Sequence, residues 1–149
     1  MKPVVTWIVI ADGTQARVFE NAGPGKGLEP VDGLRFEEEA LKTSEIMSDR
    51  QGRSFSSVGH GRSAIEPRTD PAEYRETEFA RRIAAMLDEK HTEQAFKRLV
   101  IAAAPTTLGD MRKALAPATR AAIVAEIPKT LTNVPRPQLD KTFEDYIAL

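Results

Sequence analysis

The sequence predicts an α/β fold: a single domain on a mixed five-stranded sheet, order 3-2-1-4-5, with helices on its faces. Three observations predict it. Two short runs, Val4 to Ala11 and Arg98 to Ala104, are almost continuously apolar, as expected of central strands covered on both faces. The first run is followed by two more strand-like segments joined by tight turns, which makes a meander. The second is flanked by segments of helical period, which makes β-α-β units whose right-handed crossovers place helices on the faces. With 149 residues, 41% of them hydrophobic, the chain can build one core.

The elements follow in order. After Val4 to Ala11, Asp12-Gly13 supplies a turn. The second strand, Ala16 to Glu20, alternates, with Ala16 and Val18 on one face and Arg17 and Phe19 on the other. The Gly/Pro-rich stretch from Asn21 to Gly27 is a hairpin loop. The third strand lies within Leu28 to Phe36, where Pro30 and Gly33 confine it to an edge. A helix then begins with Asp70 as N-cap, Pro71 in the first helical position and Glu73 completing a capping box. Phe79, Ile83, Met86 and Leu87 give it an apolar face as far as about Lys90. Arg98 to Ala104 is the fourth strand. Pro105 and Thr106-Thr107 open a second helix with Leu108, Met111 and Leu115 on one face, and Pro117 ends it or starts another turn. Ala122 to Ile127 is the fifth strand, stopped by Pro128. Pro135 and Pro137 open the last helix, with Leu139, Phe143 and Ile147 in register. Meander on one side and crossovers on the other give the ribonuclease-H-like strand order.

Between the meander and the first helix the character changes. Glu37 to Arg50 holds five acids, and Arg50 to Arg68 then holds four arginines, three glycines and four serines. Loops this long inside a compact domain are usually functional or disordered, and a flexible loop is expected over residues 44–69. Its glycines allow close backbone approach, and its arginines suit bidentate phosphate contacts. The alternative is a solvated loop whose arginines balance the acids before it. The total net charge of −1 excludes bulk electrostatic binding of nucleic acid, but it conceals this polarised segment.

Chemistry has few other carriers. The absence of cysteine excludes disulfides, thiolate metal sites and a cysteine nucleophile. There is no phosphate-binding G-x-x-x-x-G-K-[ST], no G-x-G-x-x-G and no G-x-S-x-G elbow. Asp12, at the end of the first strand, is a catalytic candidate, because nucleases of this strand order place a metal-binding acid there. Asp110 and Glu126 are the acids that could join it. The simpler reading of Asp12 is that it makes the Asp-Gly turn. His60 sits in the Gly-rich loop, and His91 falls where it can favour a helix C-terminus. Trp7 reads as core. No signal peptide or membrane span is evident, so the expected compartment is the cytoplasm.

Four stretches together carry a family resemblance: WIVIADGTQARVFE, SDRQGRSFSSVGHGRSAIEPRTDP, ETEFARRIAAML and RLVIAAAPTTLGDMRKAL. They resemble the bacterial host-attachment protein family, whose members are described as required for attachment to host cells. The resemblance covers nearly the whole chain. That family is in turn similar to the middle domain of archaeal and eukaryotic peptide-release factors and of Pelota. This implies the same 3-2-1-4-5 sheet, with a functional loop between the third strand and the first long helix, where Arg50 to Arg68 lies. The Gly-Gly-Gln tripeptide that serves hydrolysis in release factors is absent here, so the resemblance does not by itself imply a hydrolytic role, and whether the chain is an enzyme stays open.

The expectation is a non-secreted, release-factor-like module that associates with ribosome or tRNA and needs no cofactor or metal. Arg50, Arg53, Arg62 and Arg68 would contact RNA phosphate beside His60, with Gly52, Gly59 and Gly61 shaping the loop. Two alternatives stand beside it. One is a metal-dependent nuclease using Asp12. The other is an adhesion-related interaction domain that binds no nucleic acid.

Overall fold

The structure is a computed structural model that describes residues 4–37 and 71–149. Its five strands are β1 (Thr6–Ala11), β2 (Gln15–Asn21), β3 (Glu29–Glu37), β4 (Arg98–Ala102) and β5 (Ile123–Ile127). Its helices are α1 (Pro71–Thr92), α2 (Pro105–Ala114), the short α3 (Pro117–Ala121) and α4 (Arg136–Glu144). The sheet order is β3-β2-β1-β4-β5, as the sequence predicts. β2 runs antiparallel to β1 and β3, whereas β1, β4 and β5 are parallel.

The alternation of side chains along a strand splits the core into two layers. Trp7, Val9 and Ala11 of β1 point with Leu99 and Ile101 of β4 into one layer. There they meet Phe79, Ile83 and Leu87 of α1 and Leu108 and Met111 of α2. Ile8, Ile10, Val100 and Ala102 point the other way, onto Leu139 and Phe143 of α4. β1 is therefore buried at every position, which is why it reads as an almost continuous apolar run. In β2 the predicted division holds: Ala16 and Val18 join the first layer and Phe19 the second.

β3 is the edge strand. Pro30 cannot donate to a ladder, Gly33 takes a φ of +78°, and most of the strand is exposed. The β2–β3 register shifts between Arg17 and Phe19. α1 begins at Pro71, as expected; its proposed cap, Asp70, lies outside the described residues. The helix continues to Thr92, slightly beyond Lys90. The chain leaves it through Gln94, whose φ of 65° brings the Ala95 N–H to the Lys90 carbonyl at 2.9 Å. β4 stops at Ala102 instead of Ala104 because the next residues turn into α2, where Pro105 occupies the first turn. Asp88 of α1 accepts the Ala116 N–H at 3.0 Å and so ties α1 to the start of α3.

Candidate functional site at the C-terminal edge of the sheet

Strand directions bring the chemistry-bearing ends to one edge. β1, β4 and β5 all finish there. β3 does too, because Glu37 pairs with Gln15 beside the β1–β2 turn. α1 runs back antiparallel to β4, so its first turns reach the same edge. Gly13 of the turn lies close enough to the Glu76 side chain that an added Cβ would sit 2.5 Å from it. The described ends of the chain on either side of residues 38–70, Glu37 and Pro71, thus both belong to this edge. Arg50, Gly52, Arg53, Gly59, His60, Gly61, Arg62 and Arg68, and the loop expected over 44–69, lie outside the described residues.

Asp12 is the centre of the described part of the edge. Its Oδ1 accepts the backbone N–H of Thr14 at 2.8 Å and of Gln15 at 2.9 Å, which closes the turn. Its Oδ2 accepts the Thr132 hydroxyl at 2.8 Å and the Gln15 amide at 3.3 Å. Burial would raise its pKa, but the hydrogen bonds from Thr14, Thr132 and Gln15 outweigh it and hold the carboxyl below its ordinary value. Asp12 is therefore a carboxylate whose two oxygens are both engaged in structure.

The other acids considered with it have separate partners. Asp110 lies 3.3 Å from the Thr77 hydroxyl, whose single proton also has the Glu73 carbonyl within reach at 3.1 Å. Glu126 pairs with Arg112, whose Nε lies 3.1 Å away. Among the described residues no group of three or more His, Asp or Glu is placed to hold a metal ion. His91 sits in the last turn of α1, with its ring 5.3 Å from that of Phe96. Trp7 is core, as its position predicts. It packs 4.9 Å from Phe96 and directs its indole N–H to Glu20 at 3.3 Å.

Thr132 connects this turn to a feature that the linear sequence did not disclose. While its hydroxyl serves Asp12, its carbonyl accepts a hydrogen bond from Arg17 at 3.3 Å. Arg17 stands directly opposite Arg35 in the β2–β3 register. Arg136, at the start of α4, joins them around a pocket of about 190 Å³ that Phe19, Pro30 and Leu34 also line. The Arg17 and Arg136 guanidinium groups lie 5.0 and 5.4 Å from the centre of the Phe19 ring. Burial first, and then the positive charges of Arg35 and Arg136, lower the Arg17 pKa from its ordinary value. The one available signal was an arginine on the same strand face as Phe19. Its partners are remote in sequence.

Comparison with known proteins adds a family and a fold. A family model described as "Protein required for attachment to host cells" matches residues 7–142. No curated protein matches the chain by sequence. Among solved structures, the fold is similar to that of an archaeal translation termination factor. The TM-score is 0.50 at 11% identity, over 95% of this chain and 38% of the other. A structure described only as an archaeal protein gives a TM-score of 0.49 at 10% identity, over 97% of this chain and 34% of that one. The chain thus spans little more than a third of the length of either. No helix among the described residues is long and apolar enough to cross a membrane.

Proposed function

This chain belongs to the family of proteins required for attachment to host cells, and from that premise we propose that it acts as a release-factor-like module associating with ribosome or tRNA. Arg50, Arg53, Arg62 and Arg68 pair with RNA phosphates, His60 lies among them, and Gly52, Gly59 and Gly61 let the backbone approach. The observation that carries this reading is positional. On a fold shared with a translation termination factor, the Gly/Arg-rich segment is the link between β3 and α1. Both of its described anchors, Glu37 and Pro71, lie at the sheet edge that holds Asp12. The polarised charge also suits the role, because a basic segment on a near-neutral chain binds phosphate locally without coating RNA indiscriminately.

The test is cosedimentation with ribosomes across a salt series. The parent protein pellets with ribosomes at low salt and is released as salt rises. The Arg50→Ala/Arg53→Ala/Arg62→Ala protein pellets markedly less. Equal pelleting by the triple variant refutes the assignment. In this reading the protein works in the cytoplasm, and attachment depends on it indirectly, through translation of surface components. Accumulation of the protein on the outer face of intact cells would overturn that part.

The family description itself favours a second reading, an interaction domain that acts in attachment without nucleic acid. Ribosome profiling of a deletion strain separates the two, since only the first predicts altered ribosome occupancy.

A further inference from the structure

The geometry points to the pocket between Arg17, Arg35 and Arg136 as a binding site for a small phosphorylated ligand, held by its phosphate group. It uses none of the residues assigned above to RNA.

The charge arrangement is the first argument. Like charges directly opposite each other on neighbouring strands are destabilising, yet Arg17 and Arg35 are a register pair. Arg136 adds a third positive charge to the same pocket. The carboxylate present is Glu37, 3.4 Å from Arg35 on the exposed side. Among the described residues no carboxylate lies within ion-pair distance of Arg17 or Arg136. A dianion between the three groups would relieve this repulsion, and a phosphomonoester carries close to two charges at neutral pH.

Pre-organisation is the second. Arg17 and Arg136 both lie over the ring of Phe19, which is itself 1% exposed. Each spends one donor on a fixed carbonyl, Arg17 on Thr132 and Arg136 on Leu28. A guanidinium has five N–H donors in a rigid fork, so most remain for a ligand. Side chains held in this way lose little further freedom when a ligand arrives.

Size and lining set the ligand class. A volume of about 190 Å³ is below the few hundred Å³ typical of sites for drug-sized molecules. It admits a phosphate with a short carbon skeleton, for which Pro30 and Leu34 provide an apolar wall. Because Phe19 is already covered by guanidinium groups, it offers no open face on which a base could stack. That argues against a nucleic-acid strand as the occupant.

The test is thermal unfolding of the full chain in chloride buffer at constant ionic strength. Inorganic phosphate and glycerol 3-phosphate serve as probes. The parent protein shows a rise in Tm that grows with the logarithm of ligand concentration above the Kd, about 3 °C at a few times the Kd. Arg35→Gln and Arg136→Gln, both at exposed positions, weaken the apparent affinity about tenfold or more, as loss of a charge-assisted bidentate contact should. Arg17→Lys, which keeps the charge and removes the fork, also weakens it. Arg98→Gln, at the exposed start of β4, leaves the response unchanged. Tighter binding of glycerol 3-phosphate than of phosphate assigns the site to an organic phosphomonoester, and equal binding assigns it to free phosphate. The proposal is overturned if the parent shows no rise in Tm with either probe or if all variants respond alike. It is also overturned if a short RNA binds through these arginines while phosphate does not.

Discussion

Replacing Asp12 with alanine tests whether this carboxylate is a structural acceptor or a functional acid. The substitution removes the acceptor for the Thr14 and Gln15 N–H groups at 2.8 and 2.9 Å and for the Thr132 hydroxyl at 2.8 Å. Hydrogen bonds to a charged group contribute about 1.5–3 kcal/mol each in favourable cases. The two turn N–H groups are partly accessible, and water replaces much of what they lose. Thr132 is 3% exposed, so its hydroxyl has little such relief. The expected cost is about 2–3 kcal/mol, or a fall in Tm of about 6–10 °C for a chain of this size. Asp12→Asn keeps an acceptor for the two N–H groups and costs about 1 kcal/mol. Urea unfolding of Asp12→Ala, Thr132→Val and the double variant forms a cycle, with an expected coupling of about 1 kcal/mol.

The pH dependence has a definite sign. The folded carboxyl titrates below its ordinary value of 3.8, so the unfolded chain binds the proton more readily. The contribution of Asp12 is complete above the unfolded value and is lost as pH falls through the folded one. The gap between the parent protein and Asp12→Ala is therefore constant near neutrality and closes in acid below about pH 4. Two results refute the reasoning. One is an Asp12→Ala protein within about 0.5 kcal/mol of the parent. The other is an Asp12→Asn protein more stable than the parent, which would mark the carboxylate as an acid held at a cost for metal or catalysis.

Two further outcomes are expected. Phe143→Ala removes a fully buried ring from the layer between the sheet and α4, and should cost about 3–5 kcal/mol in urea unfolding; a loss under about 1 kcal/mol would mean α4 is not docked as described. In a Glu37→Gln background, which removes the ion pair of Arg35, Arg35→Glu turns a repulsive cross-strand pair with Arg17 into an attractive one and should stabilise the protein by about 0.2–1 kcal/mol while abolishing its response to phosphate. Destabilisation by Arg35→Glu in that background would show that the three charges do not repel one another as the register implies.

Most of the sheet was legible because its signals are local. β1 and β4 announce double burial by being wholly apolar after their first residues, and Pro30 with Gly33 marks the edge. Pro71 and Pro105 fix helix starts because a missing N–H costs nothing in a first turn. The small differences fall at element ends, where a tertiary bond or a turn decides. The Asp12 turn was legible, since Asp-Gly specifies it locally, but the Asp12–Thr132 bond spans 120 positions and carries no local trace. The same is true of the Arg17–Thr132 bond, which spans 115.

The sequence by itself determined the alternation, the breaks and the strand order, because each follows from periodicity, proline and glycine acting within a few residues and from the handedness of crossovers. It also placed four arginines in one polarised stretch. Tertiary structure alone decided which distant charges meet. Arg17 and Arg35 become partners only through the β2–β3 register, and Arg136 reaches them only because α4 packs on that face of the sheet. Strand pairing fixes register through burial of a whole face, so a charge is carried wherever its apolar neighbours must go. Phe19 must be buried, and three arginines gather around it.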